Sequence, residues 1–253
     1  MVLLSHHMLT WHKELVCTSI KMFLLFSSVY SVRRWSVARL AAKIQQPTFP
    51  ALIRCFLYDQ IYPDNVLSSS EVPLSDCPSF DERIRVHNSA VATFHAPSNP
   101  SGPGGMRWEY IRAIPSWRKG PAHYDCIFLN SNPDVPGMLG MDVVWVLLFF
   151  SFNFEGKPYP CALVHWYTRF QEQPDSDTQL WIVQPEVNPT GAPVTSIIHL
   201  NCIICAAHLV PVFGEDFMPK TLTFHQTLDA FKAFYVNKYI DHHAFYLLMP
   251  ELH

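Results

Sequence analysis

The amino-acid sequence predicts an α+β chain that is mainly β, a small open barrel of the SH3-like or BAH-like kind with N-terminal helices and a C-terminal helix. Three observations predict it. Residues 143–154 and 159–167 are apolar runs of strand length on either side of Glu155-Gly156-Lys157, a hairpin pattern whose glycine supplies a positive φ. Twenty-one prolines against nine glycines fit many short elements joined by stiff connections. Short apolar runs recur from residue 84 to residue 213 with turn residues between them, and no internal repeat is visible.

A chain of 253 residues is long enough for one large domain or two small ones. Its hydrophobic share of 49% and charged share of 15% exclude the disordered class. We expect a basic, helical segment over 1–62, a linker over 63–82, a β-rich domain with a C-terminal helix over 83–245, and an atypical tail over 246–253.

Residues 22–29 are apolar, but Lys13, Glu14 and Lys21 interrupt the wider stretch, so no run of about 18 residues spans a bilayer. Arg33 and Arg34 follow the apolar run, the reverse of a signal peptide. Val37, Leu40, Ala41 and Ile44 recur at helical spacing and stop before Pro47. Residues 51–61 form a second helical stretch, and the Ser- and Pro-rich 63–80 reads as the linker.

Strands are expected at 84–95, 124–129, 143–154, 159–167, 180–183, 195–200 and 209–213, with loops at 97–105 and 130–140. Run 143–154 is apolar on both faces, as a doubly covered central strand would be. The last element is a helix capped by Thr227, with Asp229 in its first turn and Leu228, Phe231, Tyr235 and Tyr239 as its buried stripe.

Between residues 15 and 58 the charged side chains are six bases and no acid, ahead of a body that is net acidic in a chain of net charge −3. Arg33, Arg34, Arg39 and Lys43 are therefore candidate phosphate contacts, against the plainer reading of a basic helix face. Trp145, Trp166, Tyr167 and Trp181 are candidates for an aromatic pocket, against the plainer reading of core.

His199, Cys202, Cys205 and His208 carry the ligand types of a structural zinc site. Their three-residue period would alternate across a strand, and the residues between them read as core, so no metal is expected. Asp241-His242-His243 is a second candidate, with His225 as a distant partner. Adjacent histidines on a helix diverge, which leaves one of them at most for a shared site.

No Gly-x-Ser-x-Gly elbow and no phosphate-binding Gly-x-x-x-x-Gly-Lys loop is present, and only Asp125 and Asp142 stand beside apolar strands. No catalytic residue, cofactor or small-molecule substrate is assigned. Seven cysteines, odd in number and with several inside apolar runs, indicate a reduced, intracellular chain.

A series of short segments carries a resemblance: Phe94-His95-Ala96-Pro97-Ser98, Gly105-Met106-Arg107, Pro115-Ser116-Trp117-Arg118, Tyr124-Asp125-Cys126, Gly137-Met138, Pro160-Cys161-Ala162-Leu163-Val164-His165-Trp166, Ile198-His199-Leu200, Ala207-His208-Leu209-Val210-Pro211-Val212, and the closing stretch from Leu228-Asp229-Ala230-Phe231 through Phe234-Tyr235-Val236-Asn237-Lys238-Tyr239-Ile240-Asp241-His242-His243-Ala244. Together these resemble the C-terminal region of the Plavaka-type transposase-like proteins of mushroom-forming fungi, in order over about 50–245.

The resemblance implies a mobile-element origin, with the nuclease core of such proteins upstream of the region matched. Asn201 stands where the family pattern favours aspartate, and 246–253 departs from the family ending, as in an eroded copy. The expected function is a non-catalytic, nuclear, transposon-derived accessory or interaction domain with protein or chromatin partners. A chromatin or nucleic-acid reader and a zinc-stabilised module are the alternatives.

Overall fold

The structure is a computed structural model that describes residues 25–26, 34–96, 105–214 and 220–249. In chain order its elements are β1 (Leu25–Phe26), β2 (Arg34–Trp35), α1 (Val37–Lys43), α2 (Phe49–Ile61), β3 (Ile84–His87), β4 (Ser89–His95), β5 (Met106–Ile114), β6 (His123–Tyr124) and β7 (Cys126–Asn130). There follow β8 (Met141–Phe154), β9 (Lys157–Arg169), β10 (Trp181–Pro185), β11 (Thr195–His199), β12 (Ile203–Ala207), β13 (Leu209–Pro211), α3 (Thr227–Ala230), β14 (Phe234–Val236) and α4 (His242–Leu248). The fold is mainly β, and among the described residues all the strand pairs are antiparallel.

The β8–β9 hairpin organises everything else. Its turn sets Glu155 at φ 49° and Gly156 at φ 77°, the two positive values that match the twist of the flanking strands. At Leu147 one extra residue interrupts the register, so Val146 faces Val164 while Leu148 faces Leu163. A one-residue bulge reverses which side each later side chain takes. Val144, Val146 and Phe149 therefore share one face with Ala162, Val164 and Trp166. Val143, Trp145, Leu148, Phe150 and Phe152 share the other with Cys161, Leu163, His165 and Tyr167.

Both faces are covered, which explains why 143–150 is apolar at every position. The first packs against Ala90, Ala92, Phe94, Ile111 and Ala113 of a four-stranded sheet ordered β1-β4-β5-β6. On the second, α1 and α2 deliver Leu40, Ala41, Phe49, Ile53, Phe56 and Leu57 onto Leu148, Phe150, Phe152, Cys161 and Leu163. Phe49 meets Phe150 edge-on at 5.3 Å between centroids, and Phe56 meets Phe152 at 6.4 Å.

Each long strand also serves two neighbours. β8 pairs with β7 along its first half and with β3 along its second; β9 pairs with β11 and then with β10. The larger sheet runs β12-β7-β8-β9-β10-β14-β13, with β3 and β2 branching from β8 and β11 from β9.

Four expectations need correction. Residues 84–95 are two strands, since the chain turns at Asn88 and sends β3 and β4 into different sheets. The C-terminal helix through Phe231, Tyr235 and Tyr239 is not there: after the single turn of α3, Phe234–Val236 is a strand gripped between β10 and β13. Residues 63–82 are no linker. Arg54 of α2 donates to the carbonyls of Leu74, Cys77 and Pro78, and Asp59 accepts from the backbone and hydroxyl of Ser69, so the segment is tied to α2. The atypical tail begins inside α4, whose Leu248 is buried in the core, while 250–253 lie outside the described residues. No described helix is long and apolar enough to cross a membrane.

Candidate functional site

Polar side chains from three remote parts of the chain meet where the inner face of β4–β5 approaches β12 and the start of α4. The strand alternation of β5 turns Ile111 and Ala113 into the core and, further along the same face, Glu109 and Arg107 toward that junction. Arg107 Nη1 donates to Asp241 Oδ2 at 2.6 Å across 134 positions of sequence. The other oxygen, Asp241 Oδ1, accepts the Ala244 N–H at 2.8 Å and so caps α4. Burial opposes ionisation of Asp241, yet the Ala244 N–H and the Arg107 guanidinium together hold its carboxyl below the usual range.

His243 stacks on Phe94 with ring centroids 4.3 Å apart and planes 19° from parallel. Its Nε2 is buried and has no hydrogen-bond partner among the described residues. Burial lowers its pKa; Asp241 opposes that, while Arg107 and His95 reinforce it. On the next strand pair, Glu109 Oε2 accepts the Ala206 N–H at 3.0 Å, and Oε1 lies 3.9 Å from His208 Nε2.

Cys205 lies beside these groups, buried, with its thiol pushed well above its ordinary pKa by burial and by Glu109 and Asp241, against Arg107. The chemistry follows from these states. Both carboxylates are engaged by backbone N–H groups, the thiol stays protonated, and the imidazole stays neutral. The arrangement fastens β5, β12 and α4 to one another, and it offers neither an activated nucleophile nor a positioned base.

No protein-family model, no curated protein and no solved structure matches the chain.

The zinc-like quartet is dispersed. His199 Nδ1 accepts the Asn201 N–H at the end of β11, and Cys202 lies in the turn that follows. Cys205 is on β12, and His208 is the exposed residue after it. Among the described residues no group of three or more His, Cys, Asp or Glu side chains is placed to hold a metal ion. His225 bonds to Thr223 within its own turn, and His242 is exposed. Asp125 accepts the Arg112 N–H and pairs with His123, and Asp142 accepts the Ser131 hydroxyl, so the two are engaged separately.

The four aromatics do not line one pocket, because β9 puts adjacent residues on opposite faces. Trp166 lies on the β4–β5 side and donates its Nε1–H to Ser196 Oγ at 2.7 Å. Tyr167 lies on the other side with Trp145 and is buried against Phe234, its hydroxyl without a partner among the described residues. Trp145 donates to the Tyr124 carbonyl, and Trp181 is core. Between Trp145 and Tyr167 sits His165, whose Nε2 donates to the Glu186 carbonyl at 2.9 Å.

Of the basic candidates, Arg33 lies outside the described residues. Arg39 and Lys43 stand over the Trp35 ring, 5.1 and 4.5 Å from its centroid. Arg34 points away from Trp35, as strand neighbours do, and lies opposite Arg85 of β3.

Sequence reasoning missed β5 and with it Arg107, Glu109, Trp108, Tyr110 and Arg112. The usable signal was period-two alternation, Trp108, Tyr110 and Arg112 against Arg107, Glu109 and Ile111. It is hard to see because each face mixes polar with apolar residues.

Proposed function

We propose that the chain is a non-catalytic accessory or interaction domain of a transposon-derived, transposase-like protein, acting in the nucleus and built on a small open barrel of the SH3-like or BAH-like kind. One observation carries the reading. The separated segments that bear the family resemblance, those of Phe94, Arg107, His208 and Asp241 to Ala244, meet at one junction, held by the Arg107–Asp241 pair, the Asp241 cap on α4 and the stacking of His243 on Phe94. A junction held in this way fixes the architecture, which is what a partner-binding domain needs. Incubation of the full chain with supercoiled and linear DNA in Mg²⁺ or Mn²⁺ tests it. Unchanged DNA is expected, and cutting or joining that copurifies with the protein would overturn the reading.

A second reading, a chromatin or nucleic-acid reader, is favoured by the two cations gathered on Trp35 with Arg34 and Arg85 close by in β2 and β3. Phosphate contacts release counterions, so binding would weaken steeply with salt. Binding indifferent to salt would remove Arg34, Arg39 and Lys43 from the role.

A further inference from the structure

The outer face of β4–β5 carries a stripe that neither reading uses. Trp108, Tyr110 and Arg112 occupy successive outward positions of β5, about 6.8 Å apart by strand geometry. Trp108 is 59% exposed and Tyr110 48%. Their cross-strand neighbours on β4 are the small Thr93, Val91 and Ser89, which leave the ring faces open. The stripe continues past the strand. The Arg112 guanidinium lies over the Trp117 ring, 4.6 Å from its centroid, and that of Arg118 at 5.3 Å.

The β5–β6 turn then presents more positive charge. Gly120 N–H bonds back to the Trp117 carbonyl at 2.8 Å, and Arg118 and Lys119 between them take φ values of 51° and 63°. Glycine or asparagine fills such positions with less strain, yet here both hold cations at the tip. No aspartate or glutamate occupies an outward position of β4 or β5, and among the described residues Arg112, Arg118 and Lys119 have no carboxylate partner.

Open rings beside guanidinium groups that lack a carboxylate partner among the described residues, with a lysine at the turn, match the chemistry of unstacked bases joined by a phosphate backbone. A duplex offers its phosphates but keeps its bases stacked inside. An apolar protein surface would leave the cations unmatched. We infer that this face is a binding platform for single-stranded nucleic acid, with bases stacking on Trp108 and Tyr110 and phosphates meeting Arg112, Arg118 and Lys119. The platform is separate from Trp35 and the α1 cations, and it does not depend on the transposon-derived reading.

Fluorescence anisotropy of the full chain with labelled oligo(dT), oligo(U) and a duplex of equal length tests the inference. Single strands bind in preference to the duplex, with quenching of tryptophan emission. Trp108→Ala and Tyr110→Ala each weaken that binding by roughly 10-fold, and because both side chains are exposed the variants keep their fold. Arg118→Gln and Lys119→Gln each flatten the logarithmic salt slope by about 0.7. A preference for oligo(U) over oligo(dT), or the reverse, identifies RNA or DNA as the natural strand. Three outcomes overturn the inference: no binding at low salt, equal binding to duplex that survives Trp108→Ala and Tyr110→Ala, or self-association in sedimentation that either substitution abolishes. DNA cutting in Mg²⁺ is a separate readout, so failure here and failure of the non-catalytic reading are distinguishable.

Discussion

Arg107 and Asp241 stand 134 positions apart in sequence and meet at 2.6 Å, with the second oxygen of Asp241 capping α4. One carboxylate thus does two jobs, and the two are separable. Arg107→Met removes only the ion pair, which is partly exposed, and we expect a loss of about 1 kcal/mol. Asp241→Ala removes the cap as well and loses about 2 kcal/mol. Urea unfolding measures both; equal losses would mean that the cap contributes nothing.

Acid destabilises the protein through its histidines. His87 is held down to about 4 by burial and by Arg85, and burial lowers His165, His199 and His243 in the same direction. Unfolded, each titrates near its ordinary value of 6.5. Below that value the unfolded chain binds more protons than the folded one. Stability is therefore full above it and is lost as the pH falls from 6.5 toward 4. After allowance for solvent screening at this half-buried ring, His87 accounts for about 1–2 kcal/mol. The urea midpoint should fall between neutral pH and about 4.5, and less so in His87→Gln. A flat profile would refute the assignment.

Two glycines differ in what they do. A Cβ on Gly140 would lie 1.9 Å from the Val135 carbonyl oxygen and 2.6 Å from that of Asn132, both backbone atoms that cannot swing aside. Gly140→Ala should cost about 3 kcal/mol or more. A Cβ on Gly156 meets nothing, and only its φ of 77° resists substitution. Gly156→Ala should cost about 1 kcal/mol. Thermal unfolding of the pair gives the order directly.

Five thiols are held in the protonated form in the folded chain. Burial raises Cys126, Cys161 and Cys205 far above the ordinary thiol range, and Cys55 and Cys202 to about 11. Thiolate, the reactive form, is scarce at neutral pH. Iodoacetamide should label these five slowly in native protein and rapidly in urea, as mass spectrometry of the peptides will show. Fast native labelling of Cys205 would contradict the state assigned to the junction.

Phe150 locks the helices to the sheet. It is fully buried and meets Phe49 edge-on. Phe150→Ala should lose about 3–5 kcal/mol and release α1 and α2 together with the sheet in a single transition. An early, separate loss of helical signal would show that the helical segment is an independent body.

How legible all this was from sequence depends on the range of the forces involved. The β8–β9 hairpin was readable because its strands adjoin and its turn demands Gly156; α1 and α2 were readable from helical spacing ahead of Pro47 and Pro63. Phe231, Tyr235 and Tyr239 fit a helix equally well, and what made Phe234–Val236 a strand was a slot between β10 and β13 that no local pattern reveals. The candidate sites followed the same division. Residue types identified the His199 to His208 series and the four aromatics as worth testing, but the turn between β11 and β12 dispersed the series and strand parity split the aromatics.

Local chemistry in the sequence thus determined the central hairpin, the two helices that cover it and the mainly β character. Tertiary structure alone decided three things. The Leu147 bulge set which side each later residue of β8 takes. Arg54 turned a Ser- and Pro-rich stretch into a tied segment. β5, with no clean pattern of its own, brought Arg107 to Asp241 on one face and set Trp108 and Tyr110 open on the other. The reason is physical: alternation and periodicity are written in neighbouring residues, whereas partners 134 positions apart are chosen only when packing brings the strands together.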